Sequence, residues 1–384
     1  MPTNFKEKKM VKVKVLDKKV ICSNPTSPFR YFAWPTVKRL PDGTIAMVCS
    51  GFRLKHVCPF GKVIMMYSRD EGKSWTAPAI VLDTPLDDRD AGLATFGDGK
   101  VMLTSFNNSV AAQRQWNKVT VGEHKWQTEN KKNLSEAYLK VVEEWDGAED
   151  EYLGATYRIS DDGGYNFGPI GRMPISAPHG PCELNDGTLL YVGRRFSSND
   201  AFTAPDEPFI QCWKVWSDGR HEMLSKIPNI YKDGKLLTSC EPHSIQLPDG
   251  KIIVHIRVQT VNGDAGALSL YQSESTDGGY TFSEPHQVFG DFDGAPAHFC
   301  LMSNGTLLCA CGHRSKPYGI QLLMSKDGAK TWETGIILDD EGPTHDLGYP
   351  ATVELKDGSF LTVYYEKRDD QSVIIQKTWT YEEV

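Results

Sequence analysis

The sequence predicts an all-β fold, a six-bladed β-propeller of four-stranded antiparallel blades with one helical insertion in the second blade. Three observations carry this. A turn built on Asp-Gly or Asn-Gly recurs at Asp42-Gly43, Asp98-Gly99, Asp186-Gly187, Asp249-Gly250, Asn304-Gly305 and Asp357-Gly358. The run after the turn is almost wholly apolar, as in IAMVCSG, LLYVG, IIVHI, LLCACG and FLTVYY. A third signature, Ser-x-Asp-x-Gly-x-x-aromatic, appears at Ser68-Asp70-Gly72-Trp75, Ser160-Asp162-Gly164-Phe167 and Ser275-Asp277-Gly279-Phe282. It returns at Ser325-Asp327-Trp332 with Ala329 in the glycine position.

Each element has a physical reason. The Asp-Gly dipeptides supply the positive φ angles of two-residue hairpin turns, so they join strand one to strand two of a unit. Strand two is apolar on both faces because it lies between stacked sheets. Strand three ends in the Ser/Asp signature, a self-contained turn whose side chains take up backbone donors while the aromatic ring packs between sheets. The signature is therefore a structural device rather than a catalytic or calcium site. Successive turns are 56, 88, 63, 55 and 53 residues apart, which fits a blade of about 50 residues plus one insertion. The last unit runs out after its third strand, SVIIQKTW, and the N-terminal run from Val11 to Ser23 is expected to supply the missing outer strand, making residues 1–384 one domain. The insertion spans about residues 107–150. Within it Asn133 starts an expected helix with Leu134, Tyr138, Val141 and Trp145 on one stripe, either overhanging the site as a lid or meeting a second protomer.

Composition narrows the function. The chain has 384 residues, 40% hydrophobic and 24% charged, an ordinary globular balance that leaves a large core available without disulfides. Its net charge of −8 and the absence of a long basic run argue against a nucleic-acid partner. No stretch approaches the roughly 18 apolar residues of a membrane span, and the N-terminus has no apolar region of the length a secretory signal needs. Nine scattered cysteines, an odd number, fit a reducing cytoplasm. No Gly-rich nucleotide-binding unit is present, so no cofactor is implied. The expected partner is a small carbohydrate, with oligomerisation left open.

Topology restricts where chemistry can sit. The start of strand one and the end of strand two of every unit lie on one face, the Ser/Asp signatures on the other. The starts of strand one carry Trp34, then Asp88, Arg89 and Asp90, His179, Glu241 and His243, His298, and then Asp346 and Tyr349. The ends of strand two carry Arg53, Arg195, Arg257 and Arg314. Arginines converging from several blades suit a planar anion, because the guanidinium fork binds one in bidentate fashion. His179, His243, His298 and His345 start four different blades and could line a funnel as metal ligands, as acid or base, or as hydrogen-bond partners of sugar hydroxyls. The absence of a close His-x-x-x-His or Cys-x-x-Cys pair speaks against the metal, and none is assigned.

The Ser/Asp signatures resemble the Asp boxes, or BNR repeats, of the sialidase (neuraminidase) superfamily, and the likeness runs from about Pro28 to Trp379. That resemblance implies a six-bladed propeller glycosidase with a Tyr nucleophile assisted by Glu, an Asp acid/base and three arginines on the substrate carboxylate. Asp346-Leu347-Gly348-Tyr349-Pro350 is similar to the last-blade motif that holds the nucleophile, which implies Tyr349, and Glu241 in SCEPHS is its candidate partner. Two departures stand out. Ala33 replaces the first arginine of the family, and the loop LKHVCPFG after Arg53 lacks the acid/base Asp, leaving His56 as its one group titrating near neutrality. Asp90 or Asp346 is the expected acid, and Arg53, Arg89, His179, Arg195, His243, Arg257, His298 and Arg314 the expected substrate contacts.

The expected function is a sialidase-like exo-glycosidase of the cytoplasm acting on a small glycan or glycoside, an acidic sugar among the candidates. Two alternatives stay open: a histidine-dependent propeller lyase or hydrolase acting on uronic-acid glycans, and a carbohydrate-binding propeller without catalysis.

Overall fold

The computed structural model describes residues 11–119, 129–195, 209–259, 269–289 and 294–384. The fold is an all-β propeller of antiparallel sheets. Three sheets have four strands each. They comprise Arg89–Thr95, Val101–Phe106, Ala155–Ser160 and Gly171–Met173; Thr238–Gln246, Ile252–Gln259, Ser269–Ser275 and His286–Phe289; and Gly294–Leu301, Leu307–His313, Tyr318–Ser325 and Glu333–Gly342. A fourth sheet pairs both Ile175–Ser176 and Cys182–Glu183 with Leu189–Arg195, followed by Ile210–Val215 and His221–Ile227.

The first and last units share one sheet of eight strands. Tyr31–Arg39, Ile45–Arg53, Lys62–Ser68 and Ala79–Leu82 join Leu347–Glu354, Phe360–Arg368 and Gln371–Glu383 through a single parallel bridge, Tyr31 to Ser372. Ser372 fastens this seam: its N–H donates to the Arg30 carbonyl at 3.1 Å and its hydroxyl to the Phe32 carbonyl at 2.7 Å. The N-terminal strand Val11–Cys22 pairs antiparallel with Gln371–Glu383 and is the outermost strand of the last unit.

The core lies between sheets rather than inside one centre. Leu308 and Ala310 pack toward Phe360 and Tyr364 of the following unit, while Leu307, Cys309 and Cys311 pack toward Ile253 and Leu270 of the preceding one. Alternate residues of a single strand thus enter opposite interfaces, which is why both sets are apolar.

The hairpin turns differ from expectation. Gly43 N–H donates to the Leu40 carbonyl at 2.9 Å, and Leu40 N–H donates to Thr44 at 2.8 Å, closing a three-residue loop. Only the glycine takes positive φ, +88° at Gly43. Asp42 instead accepts the Thr44 N–H at 2.9 Å through its carboxylate. This is a type I turn completed by a left-handed glycine, and the same pattern recurs at the other five turns.

The Ser/Asp signatures are closed turns. Ser160 Oγ donates to Asp162 at 2.6 Å and accepts the Gly164 N–H at 2.8 Å, and Asp162 takes the N–H groups of Tyr165 and Asn166. Trp75 and Trp332 reach the neighbouring sheets, donating to Gln376 and Gln272 at 2.8 Å each. Ala329 holds the glycine position at φ +65°.

The described residues of the insertion form three helices, α1 (Val110–Val119), α2 (Glu129–Glu144) and α3 (Ala148–Tyr152). Residues 120–128 of the insertion lie outside the described residues. The expected stripe of α2 is one position off. Ser135, Leu139 and Val142 are buried, whereas Leu134, Val141 and Trp145 are exposed, and Tyr138 packs on Phe60 at 4.7 Å between ring centroids. Leu139 and Val142 lie against Leu86, Val110 and Ala148, so the surface α2 covers is the second blade's own lead-in and its partner helices. Among the described residues, no helix is long and apolar enough to cross a membrane.

Ser160→Ala removes the acceptor of a buried N–H. It is expected to lower the unfolding free energy by about 1–3 kcal/mol in denaturant titration; an effect below about 0.5 kcal/mol would show that the box does not hold the turn.

Candidate active site

The site is built by one repeated backbone irregularity. In the first strand of each of five units the ladder to strand two slips: between Ala33 and Thr36, Arg89 and Gly92, Cys240 and His243, Ala295 and His298, and Gly348 and Ala351. In the remaining unit the first strand breaks between Ser176 and Cys182. At these points Trp34, Asp90, His179, Glu241 and Tyr349 take positive φ, between +45° and +66°. Such bulges re-aim a side chain, and left-handed φ at a non-glycine residue costs on the order of 1–3 kcal/mol. Proline follows Trp34, Glu241 and Tyr349, and its missing N–H prevents the ladder from running through. Neighbouring first strands come into backbone contact near the axis: Gly92 bridges His179, and a Cβ on Gly92 would meet Gly180 N at 2.2 Å.

Two of the re-aimed residues form the central pair. Tyr349 Oη donates to Glu241 Oε1 at 2.6 Å, and Arg257 Nη1 bonds Glu241 Oε2 while reaching Tyr349 Oη at 3.5 Å. The Arg314 guanidinium lies over the Tyr349 ring at 5.7 Å. Burial would push the Glu241 carboxyl up, but Arg257 and the Tyr349 hydroxyl outweigh it and hold Glu241 below the usual carboxylate range. Burial and the Glu241 charge push the Tyr349 phenol well above its ordinary value. The resting state is a protonated phenol on an ionised carboxylate.

Asp346 is not the proton donor the sequence offered. It accepts from Tyr365 at 2.8 Å and Tyr31 at 3.1 Å, and His56 Nδ1 is 3.5 Å away. Burial would raise it, yet His56, Tyr365 and Arg314 hold it low, so it stays ionised and orients these rings. Arg314 is fixed by the Leu347 carbonyl at 3.0 and 3.1 Å. His56 bonds Tyr31 Oη at 2.9 Å and stands edge-on to Trp34.

The second blade supplies the other carboxylate. Asp90 is buried, and burial with the Glu241 and Asp87 charges pushes it up to about 7 against the pull of Arg89. Its Oδ1 has no protein partner. Asp88, also raised to about 7 by burial, is fully enclosed and used by Thr84, whose N–H and hydroxyl donate to it at 2.7 and 2.8 Å. Of these two carboxyls, Asp90 is the one electrostatically coupled to Glu241 and Tyr349.

Arg53 is not a ligand contact. It has no exposed surface, pairs with the fully buried Asp87 at 2.5 Å, and donates to Ser50 Oγ and the His56 and Asp88 carbonyls. Arg89 lies over the Trp34 indole at 4.1 Å with Arg53 at 4.9 Å, so Arg53 buttresses the wall from behind while Arg89 borders the mouth. Arg195 is exposed at the end of its strand, paired with Ile175 at the rim.

The three axial histidines sit beneath the central pair. His179 is 6.3 Å from Tyr349 between ring centroids, and His243 and His298 stack at 4.7 Å. Phe299 N–H donates to His243 Nδ1 at 3.1 Å and Thr352 N–H to His298 Nδ1 at 3.3 Å. Burial holds all three far below the ordinary imidazole value, His179 at about 3. Burial therefore keeps all three neutral and makes each a weak proton acceptor. Among the described residues, no three His, Cys, Asp or Glu side chains are placed to hold a metal ion.

Sequence reasoning missed Asp87 and Tyr31, and placed Tyr365 at the end of a second strand without giving it a role. Asp87 opens the run Asp87-Asp88-Arg89-Asp90 and was the available signal; Tyr31 looks like an ordinary strand residue. Asp87→Asn leaves Arg53 buried without its counter-charge and is expected to cost about 3–5 kcal/mol of stability in denaturant unfolding. A loss under about 1 kcal/mol would mean that the pair is solvated.

Comparisons with known proteins agree with this architecture. A crystal structure of a Dyadobacter fermentans protein of unknown function superposes with a TM-score of 0.71 at 20% identity, covering 96% of this chain and 99% of that one. The NanB sialidase of Streptococcus pneumoniae gives 0.65 at 13% identity, covering 95% of this chain and 70% of that one. The leech intramolecular trans-sialidase, complexed with 2,7-anhydro-Neu5Ac, gives 0.61 at 12% identity, covering 96% and 70%. No curated protein matches the chain. Residues 114–362, well over half of the chain, match the BNR repeat-like domain, and the chain belongs to that family.

Proposed function

We propose that this chain is a sialidase-superfamily glycoside hydrolase built on a ring of six blades, the eight-stranded sheet counting as two joined at Tyr31 and Ser372. The observation that carries the reading is the 2.6 Å bond from Tyr349 Oη to Glu241 Oε1, with Arg257 on the other carboxylate oxygen. Tyr349 Oη attacks the anomeric carbon as its proton passes to Glu241, and Asp90 protonates the departing glycosidic oxygen. Water then attacks the anomeric carbon of the glycosyl-tyrosine, gives a proton back to Asp90, and releases the sugar as Tyr349 recovers its proton from Glu241.

Asp90 suits the donor role because a carboxyl raised to about 7 still carries its proton at neutral pH. Arg257 and Arg314 flank Tyr349 and suit a substrate carboxylate, which favours an acidic sugar on a small glycan or glycoside. Ala33 is fully buried where the resemblance implies a third arginine, so a substrate carboxylate would rest on two guanidiniums with Arg89 alongside. A cytoplasmic location belongs to the same proposal and rests on the nine cysteines, all free.

A panel of aryl glycosides that includes sialosides and uronides tests the reading. On the substrate found, Glu241→Gln is expected to lower kcat by about 10²–10⁴ and Tyr349→Phe by at least as much, with folding intact by circular dichroism. Because the protonated form of Asp90 is the active one, kcat/KM falls as pH rises through about 7, and Asp90→Asn removes that limb. Full activity in both Tyr349→Phe and Glu241→Gln would refute the mechanism.

A further inference from the structure

Below the histidines lies a cavity of about 360 Å³ whose walls are the far ends of the first strands, beside the hairpin turns. Lys38, Glu183, Gln246, Leu301 and Glu354 line it, and His179, His243 and His298 form the end nearest the catalytic face. From these side chains we infer a second ligand site, on the face opposite Tyr349, that takes a small neutral polyhydroxylated molecule such as a polyol or free monosaccharide. The inference does not depend on the glycosidase reading.

The protonation pattern of the imidazoles selects the ligand. A backbone N–H can only donate, so the bonds from Phe299 and Thr352 fix Nδ1 of His243 and His298 as acceptors. Each neutral ring then carries its proton on Nε2. His179 is the reverse. The Thr36 hydroxyl donates to the Ala91 carbonyl at 2.8 Å, and so receives the His179 Nδ1 proton at 3.0 Å. His179 Nε2 is therefore a bare acceptor, buried and without a protein partner, on a residue only 2% exposed. Buried polar atoms are nearly always paired, so this one asks for a donor from whatever fills the cavity. Two N–H donors beside one acceptor match neighbouring hydroxyl groups, which give and take hydrogen bonds at once.

Other ligands fit worse. A transition metal binds the Nε2 lone pair, which His243 and His298 do not have in this tautomer. Among the described residues, no three His, Cys, Asp or Glu side chains are placed to hold a metal, the wall residues Cys182 and Cys300 included. An anion would need a free positive charge, yet Lys38 pairs with Glu183 at 2.5 Å and Arg39 pairs with Glu71 at 2.8 Å.

Long-range ¹H–¹⁵N NMR of the histidine rings tests this on the intact protein, with glycerol and glucose as probes and inorganic phosphate and Zn²⁺ as controls. The expected result is a saturable shift of His179 Nε2 with glycerol or glucose, and none with the controls. His179→Asn, which tolerates the φ of +66°, should weaken that binding about tenfold, read at the Nε2 signals of His243 and His298. Leu301→Trp fills the cavity away from the catalytic face and should abolish the shift; it serves as the second variant if His179→Asn does not fold. A saturable response to phosphate or Zn²⁺ instead, an unchanged response in Leu301→Trp, or no response to either sugar probe because water alone fills the cavity, would overturn the inference.

Discussion

The structure depends on a repeated slip in the innermost strand of its units. A regular strand would send successive side chains into the two neighbouring blade interfaces, where they would become core. One extra residue in left-handed φ turns that position toward the axis instead. Trp34, Asp90, Glu241 and Tyr349 occupy it, and His179 takes the same conformation where its first strand is broken. The cost of five such conformations is carried by the interfaces between sheets, where residues such as Ile253, Leu308 and Val363 are fully buried. Stable blades thus hold a strained ring, and the strained ring is where polar side chains from distant parts of the chain meet.

Electrostatics then separates groups that the sequence alone makes look alike. Glu241, Asp90 and Asp346 are three carboxyls within one site, Asp90 buried and the other two half-buried. Glu241 faces Arg257 and a tyrosine hydroxyl and is ionised; Asp346 faces His56, two tyrosines and Arg314 and is ionised. Asp90 has one unpartnered oxygen and two carboxylates nearby, and keeps its proton up to about 7. In the proposed mechanism, base, orienting anion and acid differ by surroundings rather than by residue type.

Much of the fold was legible because it repeats. The Asp-Gly turns, the apolar second strands and the Ser/Asp boxes are each local, and each recurs often enough to fix its meaning. Tyr349 and Glu241 were legible as starts of strand one. What stayed hidden depends on contacts across the ring. Whether Arg53 faces a ligand or Asp87, or whether Asp346 gives up a proton, is decided by residues outside the local motif, in the second case by Tyr31, 315 positions from Asp346. The α2 stripe failed for a related reason: helical periodicity offers two adjacent apolar faces, and only the packing of Leu139 and Val142 on Leu86 and Val110 chooses between them. The single-residue offset from a two-residue to a three-residue hairpin loop is likewise invisible in the dipeptide itself.

The most direct test of this account needs no substrate. Titration of the Tyr349 phenol by ¹³Cζ NMR, in the native protein and in Glu241→Gln, reads the central contact itself. The account predicts a midpoint well above the ordinary phenol value that drops on substitution, because the neighbouring negative charge is gone while Arg257 remains. An unchanged midpoint would mean that Tyr349 and Glu241 do not meet at the axis, and the proposed catalytic centre would not exist.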